Sequence, residues 1–440
     1  MEKRDFIRWK VPNKVKEFGP NSIKYTYQQV GCMSYKFGAA LRGEMGGIVP
    51  APSTTTLKKI EIPCRIAIFE NTCIEWLIAA LGATTQSITI VTVYATLGLD
   101  AVVDAINDNM CGVIVCNKSN VMKLYKQHKD GLMPTLTTII YTNDLVSKEC
   151  DYELPKLDGG GKDNNKKGGS LKVISFDDFI QVGDTTKYPP TPPTSQTTST
   201  IMYTSGSTGK PKGVVITHAS IVGGIAASQI VLKILPNTNE RYLAYLPCAH
   251  IMEYMLEFIV LYVGGTLCYS DPKSLSSNGS YPMGSIQYYR PTRMVAVPKI
   301  WDTIKKGIET KIESLPLIKK TIIQTAISWK LFNKSSRYGL LVDTPLFNIL
   351  VFNKLRKEIG FDNMRWGLTG GGPTNGEVQT YIREVLGFPL VQGYVSLVTM
   401  RRRVNENDCY FPHYSVCLSV CLSFFLSFFL SFHAMNEYTL

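Results

Sequence analysis

Between residues 65 and 141 the period of the apolar positions changes repeatedly. The unbroken apolar runs 65–69, 88–93, 112–116 and 136–141 read as buried strands, while 71–83, 99–109 and 119–128 carry helical spacing. Asn71 is expected to cap the first of these helices, with Glu75 in its first turns. Strands and helices alternating over short connections imply a parallel sheet covered on both faces. A second series opens with a strand at 200–204, a loop at 205–212, a strand at 213–217 and a helix at 218–232. Strands near 242–246, 266–270 and 293–297 follow, with helices at 251–262, 299–312 and 319–332. A strand at 364–369, a helix at 375–386 and a short strand at 389–391 close the pattern. The expected fold class is α/β and multi-lobed, with βαβ-built parallel sheets covered by helices.

Polar stretches punctuate this order. Residues 158–169, DGGGKDNNKKGG, are expected to form a disordered loop, and 184–199, DTTKYPPTPPTSQTTS, a Pro/Thr linker. The apolar run 251–269 is long enough to suggest a membrane span. Glu253, Glu257 and the Gly264-Gly265 pair instead predict a core helix followed by a turn.

Composition narrows the picture further. The chain has 440 residues, 45% hydrophobic and 19% charged, which excludes bulk disorder and suggests two to three domains. Its eleven cysteines include no Cys-x-x-Cys pair, so a disulfide scaffold or zinc site is not expected. From the charged N-terminus no secretory signal peptide is expected. The net charge of +12 concentrates in residues 1–60, with eleven basic and four acidic side chains, and in 298–358, with twelve and five. An anionic ligand or an anionic membrane surface would suit these segments, although solvated lysine-rich faces account for most such residues. No aromatic-interleaved basic stripe points to nucleic acid.

The sharpest chemical feature is the segment 203–213, YTSGSTGKPKG, set between two predicted strands. Its glycines allow close backbone approach, its hydroxyls and N–H groups can donate to phosphate oxygens, and its lysines neutralise charge. A P-loop is excluded: Thr204 stands where the first glycine belongs, and Pro211 follows Lys210 where a helix should begin.

This loop resembles the phosphate-binding signature of the adenylate-forming (AMP-binding) superfamily. Leu246-Pro247-Cys248-Ala249-His250-Ile251-Met252-Glu253 is similar to the family's motif near the acyl site. Leu368-Thr369-Gly370-Gly371-Gly372-Pro373 resembles its turn beside adenine, and Gln392-Gly393-Tyr394 the start of Gly-Tyr-Gly-x-Thr-Glu. Together with Val93-Tyr94-Ala95-Thr96-Leu97-Gly98, the wording is closest to eukaryotic long-chain fatty acid–CoA ligases, over roughly residues 20–394.

The resemblance implies ATP-dependent activation of a long-chain fatty acid to acyl-CoA through an acyl-adenylate, with ATP, Mg²⁺ and coenzyme A. It implies a nucleotide site of Thr204, Ser205, Gly206, Ser207, Thr208, Gly209, Lys210, Gly370, Gly371, Gly372, Pro373 and Tyr394. Thr204 would help ligate magnesium, and His250 and Lys210 would be catalytic. Tyr254 borders the acyl tunnel or is a core tyrosine, and the sequence leaves both open. His218 is read as structural. A location on the cytosolic face of the endoplasmic reticulum or another intracellular membrane is implied, the basic first 60 residues contributing to surface contact. Two other functional readings stand beside this one. The chain could be a different carboxylate-adenylating enzyme, or a catalytically dead nucleotide- or lipid-binding protein with a C-terminal membrane anchor.

After Tyr394 the resemblance stops. Val395-Ser396-Leu397-Val398-Thr399 replaces Gly-x-Thr-Glu, and no ribose-binding acid, hinge or lid lysine follows. The expected organisation is therefore an adenylate-forming region over 1–394, lacking the small C-terminal lid domain, and a non-native tail over 395–440. The tail also has a repeat. Residues 415–432, SVCLSVCLSFFLSFFLSF, have a four-residue period, and TCTG and TCTT tetranucleotide repeats translate to those units. Val395-Ser396 is encodable as GTAAGT, a favoured intron start. Read-through of a retained intron is the expectation, and it would leave this chain inactive. Sequencing spliced transcripts should show Tyr394 joined to Gly-x-Thr-Glu; transcripts that all carry the repeat would exclude this origin.

Overall fold

The computed structural model describes residues 5–8, 16–17, 23–46, 64–94, 98–143, 171–204, 212–232, 239–277, 280–335, 347–393 and 415–416. The loop expected over 158–169 lies outside them. The chain opens with strands β1 (Asp5–Arg8), β2 (Lys16–Glu17) and β3 (Ile23–Thr26), then helix α1 (Tyr27–Glu44). The alternating series follows as β4 (Arg65–Phe69), α2 (Ile74–Thr85), β5 (Thr89–Thr92), α3 (Leu99–Asp108), β6 (Val113–Asn117), α4 (Lys118–Lys129) and β7 (Thr138–Thr142). Next come β8 (Lys172–Ser175), α5 (Phe176–Gln181), β9 (Thr198–Thr204), β10 (Lys212–Thr217) and α6 (His218–Leu232). The third stretch runs β11 (Arg241–Ala244), α7 (Ile251–Tyr262), β12 (Thr266–Tyr269), β13 (Ser280–Tyr281), α8 (Ser285–Tyr289), β14 (Arg293–Ala296), α9 (Pro298–Glu313) and α10 (Leu317–Ser335). Strands β15 (Trp366–Thr369) and β16 (Leu390–Gln392) flank a helix at Gly376–Tyr381, and β17 (Ser415–Val416) pairs along β10.

These strands form two large sheets. One has the order β17-β10-β9-β5-β4-β6-β7-β8 and is parallel except at the β9–β10 hairpin. The other has the order β16-β15-β14-β11-β12-β1-β3 and is parallel except between β1 and β3. Strand alternation sorts the apolar side chains into separate layers. Ile66, Ile68 and Ile90 from the first sheet share a core with Tyr242, Ala244, Val295 and Leu368 from the second, through residues of α1, α2, α6 and α7. On the far face of the first sheet, Ala67, Phe69, Val91 and Ile114 pack with α3 and α4. On the far face of the second, Leu243, Met294 and Ala296 pack with α8, α9 and the helical segment at 376–386. The architecture is helix, sheet, helix, sheet, helix, as the α/β expectation requires.

Three expectations need correction. Asn71 does not cap α2; that position falls to Cys73, which makes no side-chain cap bond, while the Asn71 N–H donates to Glu70. Lys212 belongs to β10 rather than to the loop before it, being paired with Thr204. The Pro/Thr segment is neither helix nor strand until Thr198, but it is no free spacer. Thr191 donates its N–H to the Thr85 carbonyl at 2.8 Å and accepts the Ser87 hydroxyl at 2.7 Å, and Arg42 reaches its side chain at 2.7 Å. Backbone polar groups that cannot join a sheet are met here by the ends of α1 and α2.

The amino ends of β11, β14 and β15 are fixed by charge. Glu240, buried just before β11, accepts Arg293 at 2.7 and 2.8 Å and Arg365 at 2.6 Å, from the starts of β14 and β15. Helices α1 and α2 cross through glycines: a Cβ on Gly82 would lie 2.8 Å from the Ser34 carbonyl oxygen, and one on Gly38 2.5 Å from that of Gly82. Gly82→Ala should therefore cost about 1–3 kcal/mol, seen as a lower urea midpoint at unchanged slope. An unchanged midpoint would mean the helices can part freely.

Candidate active site

In parallel sheets, loops leaving the carboxyl ends of strands share one edge, and ligands settle where strand order reverses. In the second sheet the chain passes from β11 to β12 on one side, then returns to β14 on the other. The crevice opens above that reversal. Its walls are the segment 245–250 after β11, Val297 after β14, the turn 370–373 after β15 and Gly393 after β16.

His250 caps α7. Its Nδ1 accepts the Met252 N–H at 3.2 Å, and its own N–H donates to the Pro247 carbonyl at 2.9 Å. A nitrogen accepting that bond carries no proton, so the ring proton sits on Nε2, as a donor. The residue is exposed at the crevice, yet enough protein surrounds the ring that burial holds its pKa below the ordinary 6.5. His250 is therefore a neutral hydrogen-bond donor near pH 7, suited to a carboxylate or phosphate oxygen.

The glycine turn lies beside it. Gly371 has φ +81°, a conformation that favours glycine, and the hydroxyls of Thr369 and Thr374 meet at 2.9 Å across the turn. A Cβ on Gly370 would stand 3.0 Å from the Gly393 carbonyl oxygen and 3.7 Å from Met252 Sδ. Gly393 donates its N–H to the Thr369 carbonyl at 2.8 Å, which ties the end of β16 to this turn. Gly371, Gly372 and Pro373 are at least partly open to solvent.

The first sheet approaches the same crevice. Its β5 carries Tyr94 past the strand end, and the Tyr94 ring meets that of His250 edge to face with centroids 6.5 Å apart. Burial pushes the Tyr94 hydroxyl up to about 12, so it stays protonated. Because β9 lies beside β5 in parallel register, Thr92 opposite Met202, the hairpin root at Thr204 and Lys212 shares that carboxyl edge. Ser205, Gly206, Ser207, Thr208, Gly209, Lys210 and Tyr394 lie outside the described residues. The strand that follows the loop, where a P-loop requires a helix, agrees with the exclusion drawn from sequence.

Thr72 pins the two sheets together here: its hydroxyl donates to the Leu246 carbonyl, and it accepts the Cys248 N–H at 2.9 Å. Tyr254 is only 2% exposed, wedged between Trp76 and Phe258 one turn below His250. His218 starts α6, and its N–H donates to Thr197. Sequence reasoning did not find Thr72, whose partners lie more than 170 residues away, and Tyr94 entered only within a quoted motif. Among the described residues no three His, Cys, Asp or Glu side chains group to hold a metal. Nor is any described helix long and apolar enough to cross a membrane.

The sequence profile of AMP-binding enzymes matches residues 10–396. The chain belongs to the AMP-binding enzyme family. Among its curated AMP-binding relatives, Long chain acyl-CoA synthetase 8 of Arabidopsis thaliana is 32% identical over 338 residues, covering 75% of this chain and 45% of the relative. Long-chain-fatty-acid–CoA ligase 1 of Saccharomyces cerevisiae is also 32% identical over 338 residues, covering 75% and 47%. The chain thus spans about half the length of the curated relatives it matches. The fold of the AMP-binding region recurs in two solved structures of carboxylic acid reductases. The didomain from Segniliparus rugosus in complex with AMP has a TM-score of 0.62 at 16% identity, covering 90% of this chain and 51% of that one. The adenylation domain from Mycobacterium chelonae has 0.60 at 15% identity, covering 89% and 55%.

Two substitutions separate the structural from the chemical role of His250. His250→Ala should lose the helix cap and cost about 1 kcal/mol, whereas His250→Asn should keep it. The wild-type cap should also weaken in acid. The native state resists a proton that the unfolded chain accepts, so this stability is complete above pH 6.5 and is lost as pH falls below it through the lower pKa of the folded state. Urea midpoints of the three proteins from about pH 5 to 8 check this; equal midpoints for the Ala and Asn variants would remove the cap.

Proposed function

We propose that this chain carries the nucleotide-binding part of an ATP-dependent ligase that activates long-chain fatty acids to acyl-CoA through an acyl-adenylate. The observation that carries the reading is the convergence of the His250 donor, the open 370–373 turn and the root of the 205–211 loop on one carboxyl-end crevice. The names of the chain's relatives supply the substrate class.

In this reading the substrates are a fatty carboxylate, magnesium-ATP and coenzyme A. A carboxylate oxygen attacks the α-phosphorus, the bond to the bridging oxygen breaks, and pyrophosphate leaves. The coenzyme A thiol then attacks the acyl carbon, loses its proton, and AMP departs. His250 Nε2–H donates to the carboxylate or α-phosphate, and residues 204–210 hold the β- and γ-phosphates with Lys210 as counter-charge. Gly370–Pro373 and Tyr394 flank the adenine, and Thr204 accompanies the nucleotide's magnesium. The replacement of Gly-x-Thr-Glu by Val395–Thr399 leaves the chain as written with little activity.

A membrane surface as the source of the acid belongs to the same proposal. Helix α10 exposes Leu317, Ile318, Ile322, Trp329 and Phe332 together with Lys319, an apolar face with a basic flank suited to an anionic bilayer.

ATP–pyrophosphate exchange tests the reading. A chimera with residues 395–440 replaced by the C-terminal portion of the yeast relative should exchange with palmitate and far less with acetate or benzoate. The chain as written should be nearly silent. His250→Asn in the chimera should slow exchange by roughly 100-fold. Palmitate delivered in phosphatidylserine vesicles should be used at lower concentration than in phosphatidylcholine, and Ile318→Glu with Phe332→Glu should remove that gain. Exchange with benzoate alone would move the substrate to another class, and none with any carboxylate would overturn the adenylation reading.

A further inference from the structure

Two carboxyl groups lie beneath the crevice with no cation among the described residues to meet them. Glu253 and Glu257 stand one turn apart on the inner face of α7, each 1% exposed, inside the core that joins the sheets. From β11 and the segment after it, the Tyr242 hydroxyl donates to Glu253 Oε2 at 2.6 Å, and Tyr245 is buried nearby with its hydroxyl donating to Val295. From β12, the Tyr269 hydroxyl donates to Glu257 Oε2 at 3.1 Å. Cys73, at the start of α2, lies near Tyr269, and Tyr254 of α7 lies near Cys248. All these groups are neutral acids in their ordinary state, and no cation among the described residues acts on either carboxyl.

One of these bonds leads to the crevice. Cys248 donates its thiol to Glu257 Oε1 at 3.0 Å, while the same residue's N–H is held by Thr72 at 2.9 Å. Two residues further on, His250 turns its Nε2–H to the crevice. Glu253 Oε1, by contrast, is buried and accepts no side-chain hydrogen bond, the Tyr245 backbone N–H being the other donor that faces this carboxyl. A buried oxygen with no side-chain donor is tolerated on a neutral carboxyl far better than on a charged one. Glu253 is therefore the member that keeps a proton, and Glu257, with two side-chain donors, is the member able to give one up.

We propose that Glu257 is a positioning residue for His250: anchored to Cys248 beneath the segment 246–250, it sets where the imidazole presents its proton to the crevice. Ionised Glu257 pulls harder on its donors than the neutral acid does, because hydrogen bonds to a charged acceptor are shorter and stronger. Burial pushes Glu257 up to about 7 against the bonds from Cys248 and Tyr269, which favour its charged form, and burial followed by the charge of Glu257 raises Glu253 well above the usual carboxylate range. The pull on Cys248 thus changes across neutral pH, and His250 should report the change. The geometry stands without the fatty acid reading; only the kinetic consequence rests on it.

The test uses the full chain with its five histidines isotopically labelled, followed by NMR from about pH 5.5 to 8.5. In the wild type the His250 ring resonances should show its own titration and a second step near 7. Glu257→Gln, close in size and uncharged, should remove the second step. Cys248→Ala should remove it too, while leaving the carboxyl in place, and it supplies the answer if Glu257→Gln does not fold. Tyr242→Phe, which removes a hydrogen bond to Glu253 but none to Glu257, should leave the step present. Loss of the step in both Glu257→Gln and Cys248→Ala supports the positioning role; its survival in Cys248→Ala, or its absence from the wild type, overturns it. In the active chimera, Cys248→Ala should lower the exchange kcat several-fold at pH 7.5 with little change in KM for ATP. A silent chimera would count against the adenylation reading alone, since the resonances decide the inference independently.

Discussion

The crevice depends on one short bridge between the two sheets, the pair of hydrogen bonds that Thr72 makes with Leu246 and Cys248. Stacked sheets joined by a helical layer are free to slide, because apolar packing is non-directional. Two bonds from a single hydroxyl remove that freedom where the strand ends meet. They fix the segment that caps α7, and so the position of His250 against Tyr94 of the other sheet. The buried Glu240 cluster sets the opposite strand ends of the second sheet. The sheet is therefore held firmly at both edges, and the crevice inherits a stiff wall.

Apolar packing and polar fixing are divided by location. Trp76 and Tyr254 meet edge to face at 5.8 Å in the shared core, where bulk and shape set the spacing of the sheets. Hydrogen bonds with specific partners gather where the chain leaves the strands. A ligand at the crevice would therefore meet groups held by directional bonds over a floor that packing makes incompressible. Such a floor is the support that a preorganised donor like His250 Nε2–H requires.

Much of this was legible in the sequence where period and chemistry coincide. The strands of the two large sheets between 65 and 142 and between 241 and 296 emerge within a residue or two, because buried parallel strands are unbroken apolar runs, whereas the two-residue β13 does not. Helix α1 did not emerge: its apolar positions, Val30, Phe37 and Leu41, are diluted by glycines and by small or polar residues. Strand β8, a four-residue edge, offers too short a run to separate from its polar flank. The cap of α2 was misplaced because the helix starts three residues after Asn71 and its cap position falls to Cys73, which makes no side-chain cap bond, so the residue type at 73 carries no signal. At the site, glycine at 371 announced its left-handed turn. The contacts of Thr72 and the pairing of Glu257 with Cys248 did not show, since they depend on how two sheets are stacked rather than on local spacing.

Burial acts on both titratable features of the crevice through one cause. Removing water disfavours charge, which lowers the basicity of His250 and raises the acids of Glu253 and Glu257. The direction differs by residue, but the outcome is shared: each group is pushed toward its neutral form. Beneath a site proposed for polyphosphate this matters, since two ionised carboxyls in the floor would repel the ligand across a medium that screens poorly. The tyrosines and thiol that surround them donate hydrogen bonds without adding charge. While both carboxyls keep their protons the floor is electrostatically quiet toward an anion, leaving attraction to the lysines of the 205–212 segment.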